Sequence, residues 1–324
     1  MTTPARHANR CLQIPLHGTV VLHVAGADAR SFLHSQFSTD LLHPDPHYSA
    51  LTSYSDPRGR LLAIPRVLPL GDEAVGLVLD AGIAADVMQR LRKYALRAQV
   101  SFQLADADSA SQWRSLGICG EGAAAALLDQ LGVAAPAAQQ GCARTAAGVV
   151  VVRMPDAEPR WALHGPAAAI AAISDALNAA TESADETEWR RRDIEAGLPR
   201  IVAATSGRFV AQMVNLDRLA AIDFRKGCYP GQEVIARTRY LGRIKRRMFI
   251  IAAAGEAPAP GESVYREGGD QPCGEVVDAV AVADGCRALA VLRLEAADES
   301  LRLGSTTGPA GRAYQPPYGL AEED

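Results

Sequence analysis

The sequence lacks the features that mark membrane and secreted proteins. No apolar run approaches the roughly 20 residues of a membrane-spanning helix, and the first residues lack the apolar core of a signal peptide. Aromatic residues make up only 5% of the 324 residues, so aliphatic side chains and alanine must fill most of the core. The length allows about two domains. We therefore expect a soluble, cytoplasmic protein.

Metal-binding patterns are also missing. The six cysteines (11, 119, 142, 228, 273 and 286) include no C-x-x-C pair, which argues against a zinc ribbon and against an iron–sulfur cluster held by this chain alone. The seven histidines show no H-E-x-x-H spacing, and two prolines between His43 and His47 prevent a shared helical face. We expect reduced thiols and no resident metal site.

Nucleotide-binding loops are absent as well. The chain has no G-x-x-x-x-G-K-[ST] motif, and the glycines at 117, 120 and 122 are spaced G-x-x-G-x-G rather than G-x-G-x-x-G. The net charge of -4 argues against a protein that coats nucleic acid with its whole surface. Neither P-loop nucleotide hydrolysis nor dinucleotide binding is therefore expected.

The hydrophobic periodicity predicts the same order of strands and helices twice along the chain. In the first round, strands are predicted at 19–25, 48–54, 60–70, 74–79 and 99–104, with helices after Asp28 and over 83–94. In the second round, strands are predicted at 113–119, 148–154 and 160–163, with helices over 121–131, 166–180 and 186–196. This is the split βαβ order, so we predict an α+β protein with two ferredoxin-like lobes and a site between them.

The pattern changes near residue 246. Short strands between turns are predicted at 248–253, 263–266, 274–282 and 287–294, as in a small β-barrel. We therefore predict three domains, which are a first α+β lobe (1–108), a second α+β lobe (109–245) and a C-terminal β-barrel (246–324).

Polar chemistry is concentrated in residues 226–247, which begin with KGCYPGQE. Pro230 and Gly231 occupy the central positions of a predicted type II turn over 229–232. Proline has the φ that the first central position needs, and glycine accepts the positive φ of the second. A tight turn is therefore predicted directly after Cys228.

A short helix is predicted to begin at Gln232, with Glu233 and Arg237 one turn apart on one face. Cys228 would then lie close to the positive end of a helix and two residues from Lys226. Both neighbours favour the thiolate over the thiol. The alternative interpretation is a half-buried cysteine that packs in a structural turn.

A run of basic residues follows Cys228 and contains no acidic residue. Its members are Arg237, Arg239, Arg243, Lys245, Arg246 and Arg247. Such a local excess of positive charge can bind an anion, although basic helix ends that face solvent are common.

Six segments of the chain closely resemble the YgfZ family, which is the folate-binding family related to the T-protein of glycine cleavage and to a mitochondrial iron–sulfur assembly factor. They are 31–40 (SFLHSQFSTD), 56–60 (DPRGR), 192–199 (RDIEAGLP), 209–217 (FVAQMVNLD), 224–237 (FRKGCYPGQEVIAR) and 240–246 (YLGRIKR). The K-G-C-Y-x-G-Q-E signature matches without a substitution. The resemblance covers nearly the whole chain and is loosest between 105 and 185.

The resemblance implies two interleaved lobes around a central cavity and a C-terminal β-barrel. It also implies a tetrahydrofolate-type ligand in the cavity and a role in assembling or repairing iron–sulfur enzymes, including radical enzymes that modify tRNA. The partners would be iron–sulfur client enzymes or assembly proteins. One cysteine cannot hold a cluster unaided, so a partner would complete any cluster contact.

The resemblance also suggests which residues act. Cys228 and Lys226 are the candidate reactive pair, with Cys228 as a reactive or cluster-facing thiolate. Glu195 stands where the T-protein has a pterin-contacting glutamate, and a buried carboxylate can pair with two adjacent donors of a pterin ring. The alternative is an ordinary helix-terminal glutamate. The other candidates for folate contact are Gln212, Asn215, Tyr229, Gln232, Glu233 and Arg237.

Two alternative functions remain open. The T-protein carries adjacent carboxylates in the segment that corresponds to 59–64, where this chain has Ala63 and Ile64. These residues cannot do acid–base work, which argues against aminomethyl transfer although the pocket can persist. The first alternative is nevertheless a folate-dependent one-carbon (aminomethyl or methyl) transferase. The second is an RNA-binding module for tRNA that uses Arg243, Lys245, Arg246 and Arg247.

Overall fold

The computed structural model describes residues 11–105, 112–120, 127–128, 132, 135–240, 242 and 244–320. The α-helices described are α1 (Ala29–Gln36), α2 (Ala81–Ala95), α3 (Ala167–Leu177), α4 (Glu186–Glu195) and α5 (Gln232–Tyr240), and two short 3-10 helices span Ala211–Val214 and Leu294–Ala296. The strands of the two lobes are β1 (Leu12–Pro15), β2 (Thr19–Ala25), β3 (Tyr54–Ser55), β4 (Leu61–Ala63), β5 (Arg66–Pro69), β6 (Ala74–Asp80), β7 (Ser101–Ala105), β8 (Trp113–Cys119), β9 (Cys142–Arg144), β10 (Val150–Arg153), β11 (Arg160–Pro166) and β12 (Glu182–Ser183). The remaining strands are β13 (Arg246–Ala253), β14 (Ser263–Arg266), β15 (Pro272–Val282), β16 (Gly285–Arg293), β17 (Ser300–Gly304) and β18 (Ala310–Tyr314).

The first lobe is a four-stranded antiparallel sheet in the order β5-β6-β2-β7. This is the strand order of the split βαβ unit, so the predicted α+β class and ferredoxin-like topology are confirmed. The predicted stripe of α2 is buried through Ile83, Val87 and Leu91, and the Asp80 side chain caps the helix by accepting the Gly82 N–H at 2.9 Å.

Two predicted strands of the first lobe differ from the structure. The expected strand at 48–54 is reduced to β3, because Tyr48 and Leu51 make only isolated bridges to Gly141 and Arg66. The expected strand at 60–70 is divided into β4 and β5 around Pro65, which lacks the N–H that a continuous ladder needs.

The second lobe is a six-stranded sheet in the order β12-β1-β8-β11-β10-β9. Its strand β1 comes from the N-terminal range of the chain and pairs parallel to β12 and antiparallel to β8. The two lobes are therefore interleaved, and the range 1–108 contributes one strand to the second sheet. The helix predicted over 121–131 lies almost wholly outside the described residues, as does the boundary at 108.

The C-terminal strands form a closed barrel in the order β13-β16-β15-β14-β17-β18, which begins at Arg246. Small aliphatic residues such as Ala288 and Ala290 fill its interior, in keeping with the low aromatic content. In the described ranges, every helix is too short or too polar to cross a lipid bilayer.

Helix α4 and the segment before α5 fix the barrel to the lobes. Arg190 of α4 forms an ion pair with Asp278 of β15 and donates to the Ala279 carbonyl at 3.1 Å. Arg247 of β13 binds both carboxylate oxygens of Asp217, at 2.6 and 2.8 Å. Buried bidentate pairs of this kind hold a fixed orientation.

Candidate functional site

The 229–232 turn has the geometry that its sequence predicts. The Gln232 N–H donates to the Tyr229 carbonyl at 3.2 Å, and Gly231 has a φ of 82°. These are the hydrogen bond and the positive φ of a type II turn. Helix α5 begins at Gln232, as predicted.

A second turn, at 56–59, lies directly against the first. A Cβ atom added to Gly231 would lie 2.8 Å from Gly59 Cα and 2.9 Å from the Asp56 carbonyl oxygen. Gly59 itself has a φ of 74°, and a Cβ there would lie 2.8 Å from Val234 Cβ. Both glycines are therefore required by backbone conformation and by close approach.

Cys228 is exposed at the start of the 229–232 turn, whereas the other five cysteines are buried. Burial raises the pKa of Cys119 to about 12 and that of Cys142 to about 11, which leaves those thiols protonated and unreactive at neutral pH. The alternative of a half-buried Cys228 is wrong. Of the six cysteines, Cys228 alone is exposed to solvent.

Lys226 anchors the loop that carries Cys228. Its Nζ donates to the carbonyl of Phe37 at 2.6 Å and to that of His34, and it lies 4.7 Å from the centre of the Tyr229 ring. Burial lowers the pKa of Lys226 to about 8, while the charges of Asp40, Asp223 and Cys228 oppose that shift. The hydrogen bonds of Lys226 thus go to the end of α1, and its predicted effect on the thiolate stays a prediction.

The other predicted residues of this segment surround the same loop. Tyr229 is buried, and burial raises its pKa to about 12. Gln232 donates to the Lys226 carbonyl at 3.4 Å. Glu233 and Arg237 are exposed on α5. None of these four residues lines the pocket that contains Glu195.

Gln212 and Asn215 are buried and bind backbone groups. Gln212 Nε2 donates to the Ile235 carbonyl at 2.7 Å, which holds α5 in place. Asn215 donates to the Met248 carbonyl at 2.8 Å and accepts the Met248 N–H at 3.3 Å, so it fixes strand β13. Their side chains brace the fold, and neither residue lines the pocket that contains Glu195.

Glu195 lies at the end of α4 in a pocket of about 340 Å³, which we call the Glu195 pocket. Asp156, Gln139 and Tyr318 also line it. The Glu195 side chain is 40% exposed and forms an ion pair with Arg191. The expectation of a buried carboxylate is therefore wrong, although Glu195 does face a pocket.

A smaller inter-lobe cavity, of about 120 Å³, lies between the two sheets. Arg66, His164 and Asp193 line it. His164 Nδ1 lies 2.8 Å from Ser115 Oγ, while His164 Nε2 has no hydrogen-bond partner among the described residues. Burial lowers the pKa of His164 to about 3, so the ring is neutral. Sequence reasoning missed these residues. The one signal for Arg66 and His164 is a charged or polar residue inside an apolar strand, and Asp193 lies in the charged helix α4.

A third pocket, of about 460 Å³, lies beside the loop that Lys226 anchors. We call it the Tyr240 pocket, and it is lined by Asp40, Asp223, Phe224, Arg239 and Tyr240 among others. Sequence reasoning did not foresee it, because its walls come from the end of α1, the segment before Cys228 and the end of α5.

The basic run divides between surface and interior. Arg237, Arg239, Lys245 and Arg246 are exposed, whereas Arg247 is only 4% exposed and is paired with Asp217. The prediction that Arg247 faces RNA or another anion is therefore wrong. Arg243 lies outside the described residues.

The architecture has a solved counterpart. The aminomethyltransferase T of the glycine cleavage system from Bartonella henselae superimposes with a TM-score of 0.78, covering 97% of this chain and 88% of that one at 15% identity. Residues 245–314 match the family model described as CAF17, C-terminal beta-barrel domain. The chain thus has the aminomethyltransferase T fold, with a barrel of the CAF17 type.

Sequence relatives narrow this class to one family. A tRNA-modifying protein YgfZ from Serratia proteamaculans is 31% identical over 321 residues, which cover 96% of this chain and 93% of that protein. A protein of the same name from Shigella boydii is 29% identical over 265 residues, or 81% and 79% of the two chains. An uncharacterized protein from Haemophilus influenzae is 29% identical over 232 residues, or 71% and 70%. The chain belongs to the YgfZ family.

Proposed function

We propose that this protein is a folate-binding accessory factor that supports the assembly or repair of iron–sulfur enzymes, including enzymes that modify tRNA. Cys228 is its reactive or cluster-facing residue. The name of its relatives, tRNA-modifying protein YgfZ, supports the link to tRNA. The resemblance of the 226–233 motif to the YgfZ signature supports folate binding and the iron–sulfur role.

The exposure of Cys228 is the observation that carries the proposal. Five cysteines of the chain are buried, and Cys228 is exposed at the start of the 229–232 turn. The turn is held by the Lys226 hydrogen bonds on one side and by the 56–59 turn on the other. A thiol that is accessible and held in place is what a thiolate needs to attack a partner or to bind a metal of that partner.

Any cluster contact would be shared with another protein. In the parts of the chain that the structure describes, no group of three or more His, Cys, Asp or Glu side chains could hold a metal ion. Cys228 would then supply one ligand to a cluster whose other ligands come from the client or the assembly protein.

Folate is assigned to the Glu195 pocket. Its volume of about 340 Å³ falls within the usual range for small-molecule sites, whereas the inter-lobe cavity of about 120 Å³ falls below it. Glu195 Oε2 is paired with Arg191, and in the described residues no donor reaches Oε1. This carboxylate can therefore accept the adjacent N–H groups of a pterin ring.

The proposal is tested by complementation of a bacterial strain that lacks its own YgfZ-family protein, with an iron–sulfur-dependent tRNA modification measured by mass spectrometry. Cys228→Ser is expected to abolish complementation, while Cys273→Ala, at a buried barrel cysteine, is expected to retain it. Full activity of Cys228→Ser would remove the thiol from the function. Turnover of a methylene- or methyl-folate by the purified protein alone would instead favour the one-carbon transferase.

A further inference from the structure

The Tyr240 pocket has a stacking platform at its rim. The Arg239 guanidinium lies 4.2 Å from the centre of the Phe224 ring and 5.8 Å from that of the Tyr240 ring. The two ring centres are 6.5 Å apart at an angle of 76°, so the two rings and the guanidinium form one cluster. Tyr240 is 67% exposed, which leaves ring surface open to a further planar group.

A fixed carboxylate lines the same pocket. The Asp223 N–H donates to the Ser38 carbonyl at 2.8 Å, and Asp223 Oδ1 accepts the Arg225 N–H at 2.8 Å. In the described part of the chain no hydrogen bond involves Asp223 Oδ2. Asp40 also lines the pocket, but His34, His43 and the Leu42 N–H already engage its carboxylate. Asp223 is therefore the carboxylate with capacity to accept from a ligand.

Two arginines, Arg225 and Arg239, line the Tyr240 pocket together with Asp40 and Asp223. The Arg225 side chain is 94% exposed, and its Nε lies 3.7 Å from Asp223 Oδ1. Arg239 is also exposed. A planar stacking surface, a hydrogen-bonding carboxylate and exposed arginines are elements with which proteins bind unstacked bases of single-stranded RNA.

We propose that the Tyr240 pocket binds an unstacked guanine base of single-stranded RNA. Guanine is the only one of the four RNA bases whose pairing edge presents two adjacent donors, N1–H and the 2-amino group, and a carboxylate accepts both. The base stacks on Tyr240, and Arg225 faces the phosphate backbone. The pocket volume of about 460 Å³ accommodates a nucleotide. This site is distinct from the Glu195 pocket and does not depend on folate binding.

The test is fluorescence anisotropy with the full chain and a labelled oligouridine that carries one central guanosine. We expect it to bind about tenfold more tightly than plain oligouridine. Asp223→Asn is expected to abolish that preference and to favour a central adenosine, because an amide offers one donor and one acceptor. Tyr240→Ala is expected to weaken binding of all the oligonucleotides about tenfold through lost stacking.

Tyr94→Ala is the matched control, because Tyr94 is 57% exposed at the end of α2 and lines no pocket described above. Three outcomes would overturn the proposal. They are equal affinity for guanosine- and uridine-centred oligonucleotides, an equal loss of affinity in Tyr94→Ala, and displacement of the RNA by tetrahydrofolate in both wild type and Glu195→Ala. The last would assign the Tyr240 pocket to folate. A failure of folate to bind the Glu195 pocket would leave the RNA result unchanged.

Discussion

Replacing Gly231 with alanine adds one methyl group where the 229–232 turn lies against the 56–59 turn. The new Cβ would lie 2.8 Å from Gly59 Cα and 2.9 Å from the Asp56 carbonyl oxygen, both of which are backbone atoms. The φ of 82° adds about 1–2 kcal/mol of strain for a residue with a side chain. Overpacking against backbone adds about 1–3 kcal/mol. We expect a loss in the free energy of unfolding of about 2–5 kcal/mol.

Two other glycines separate these two effects. Gly207 has a φ of 81°, and a Cβ added there would have nothing within 4 Å, so Gly207→Ala measures the strain alone. Gly227, next to Cys228, has open space for a Cβ and no positive φ, so Gly227→Ala should be close to neutral. The assay is urea unfolding of the three variants beside wild type. If Gly231→Ala lost no more stability than Gly207→Ala, the close packing of the two turns would contribute nothing.

The cysteines, the Glu195 pocket and the barrel interface each allow one further prediction. Iodoacetamide should modify Cys228 alone in the native protein and all six cysteines in urea, as counted by intact mass; a second native adduct would contradict the burial of the other five. Glu195→Ala should weaken tetrahydrofolate binding by about 1–3 kcal/mol in calorimetry, and an unchanged affinity would reject that assignment. Asp217→Ala leaves the Arg247 guanidinium buried without its carboxylate, so urea unfolding should show a loss of about 3–5 kcal/mol, and a loss below about 1 kcal/mol would refute the pairing.

Local signals in the sequence were enough to predict the 229–232 turn and the start of helix α5. Pro230 and Gly231 specify the turn through their own backbone preferences, and α5 begins where the turn ends. The α+β class and the two split βαβ lobes also followed from periodicity. The prediction of a strand at 48–54 was wrong because Tyr48 and Leu51 form single bridges to two separate partners, Gly141 and Arg66. No local sequence pattern encodes such pairing.

Long-range pairing accounts for what could not be predicted at the site. Lys226 is two residues from Cys228 in sequence, yet its ammonium group hydrogen-bonds with carbonyls near the end of α1. Arg247 belongs to a basic run, but it is buried and paired with Asp217, which lies 30 residues earlier in the chain. The Tyr240 pocket likewise exists only once three distant segments have met.

The placement of β1 bears on how the chain folds as it is made. This strand leaves the ribosome well before its neighbours β8 and β12. The second sheet therefore cannot close until synthesis has passed residue 183, and until then β1 has an unpaired edge that must be kept from other strands. Interleaving therefore ties completion of the second sheet to a strand made before the first sheet, while the barrel strands are translated after both sheets.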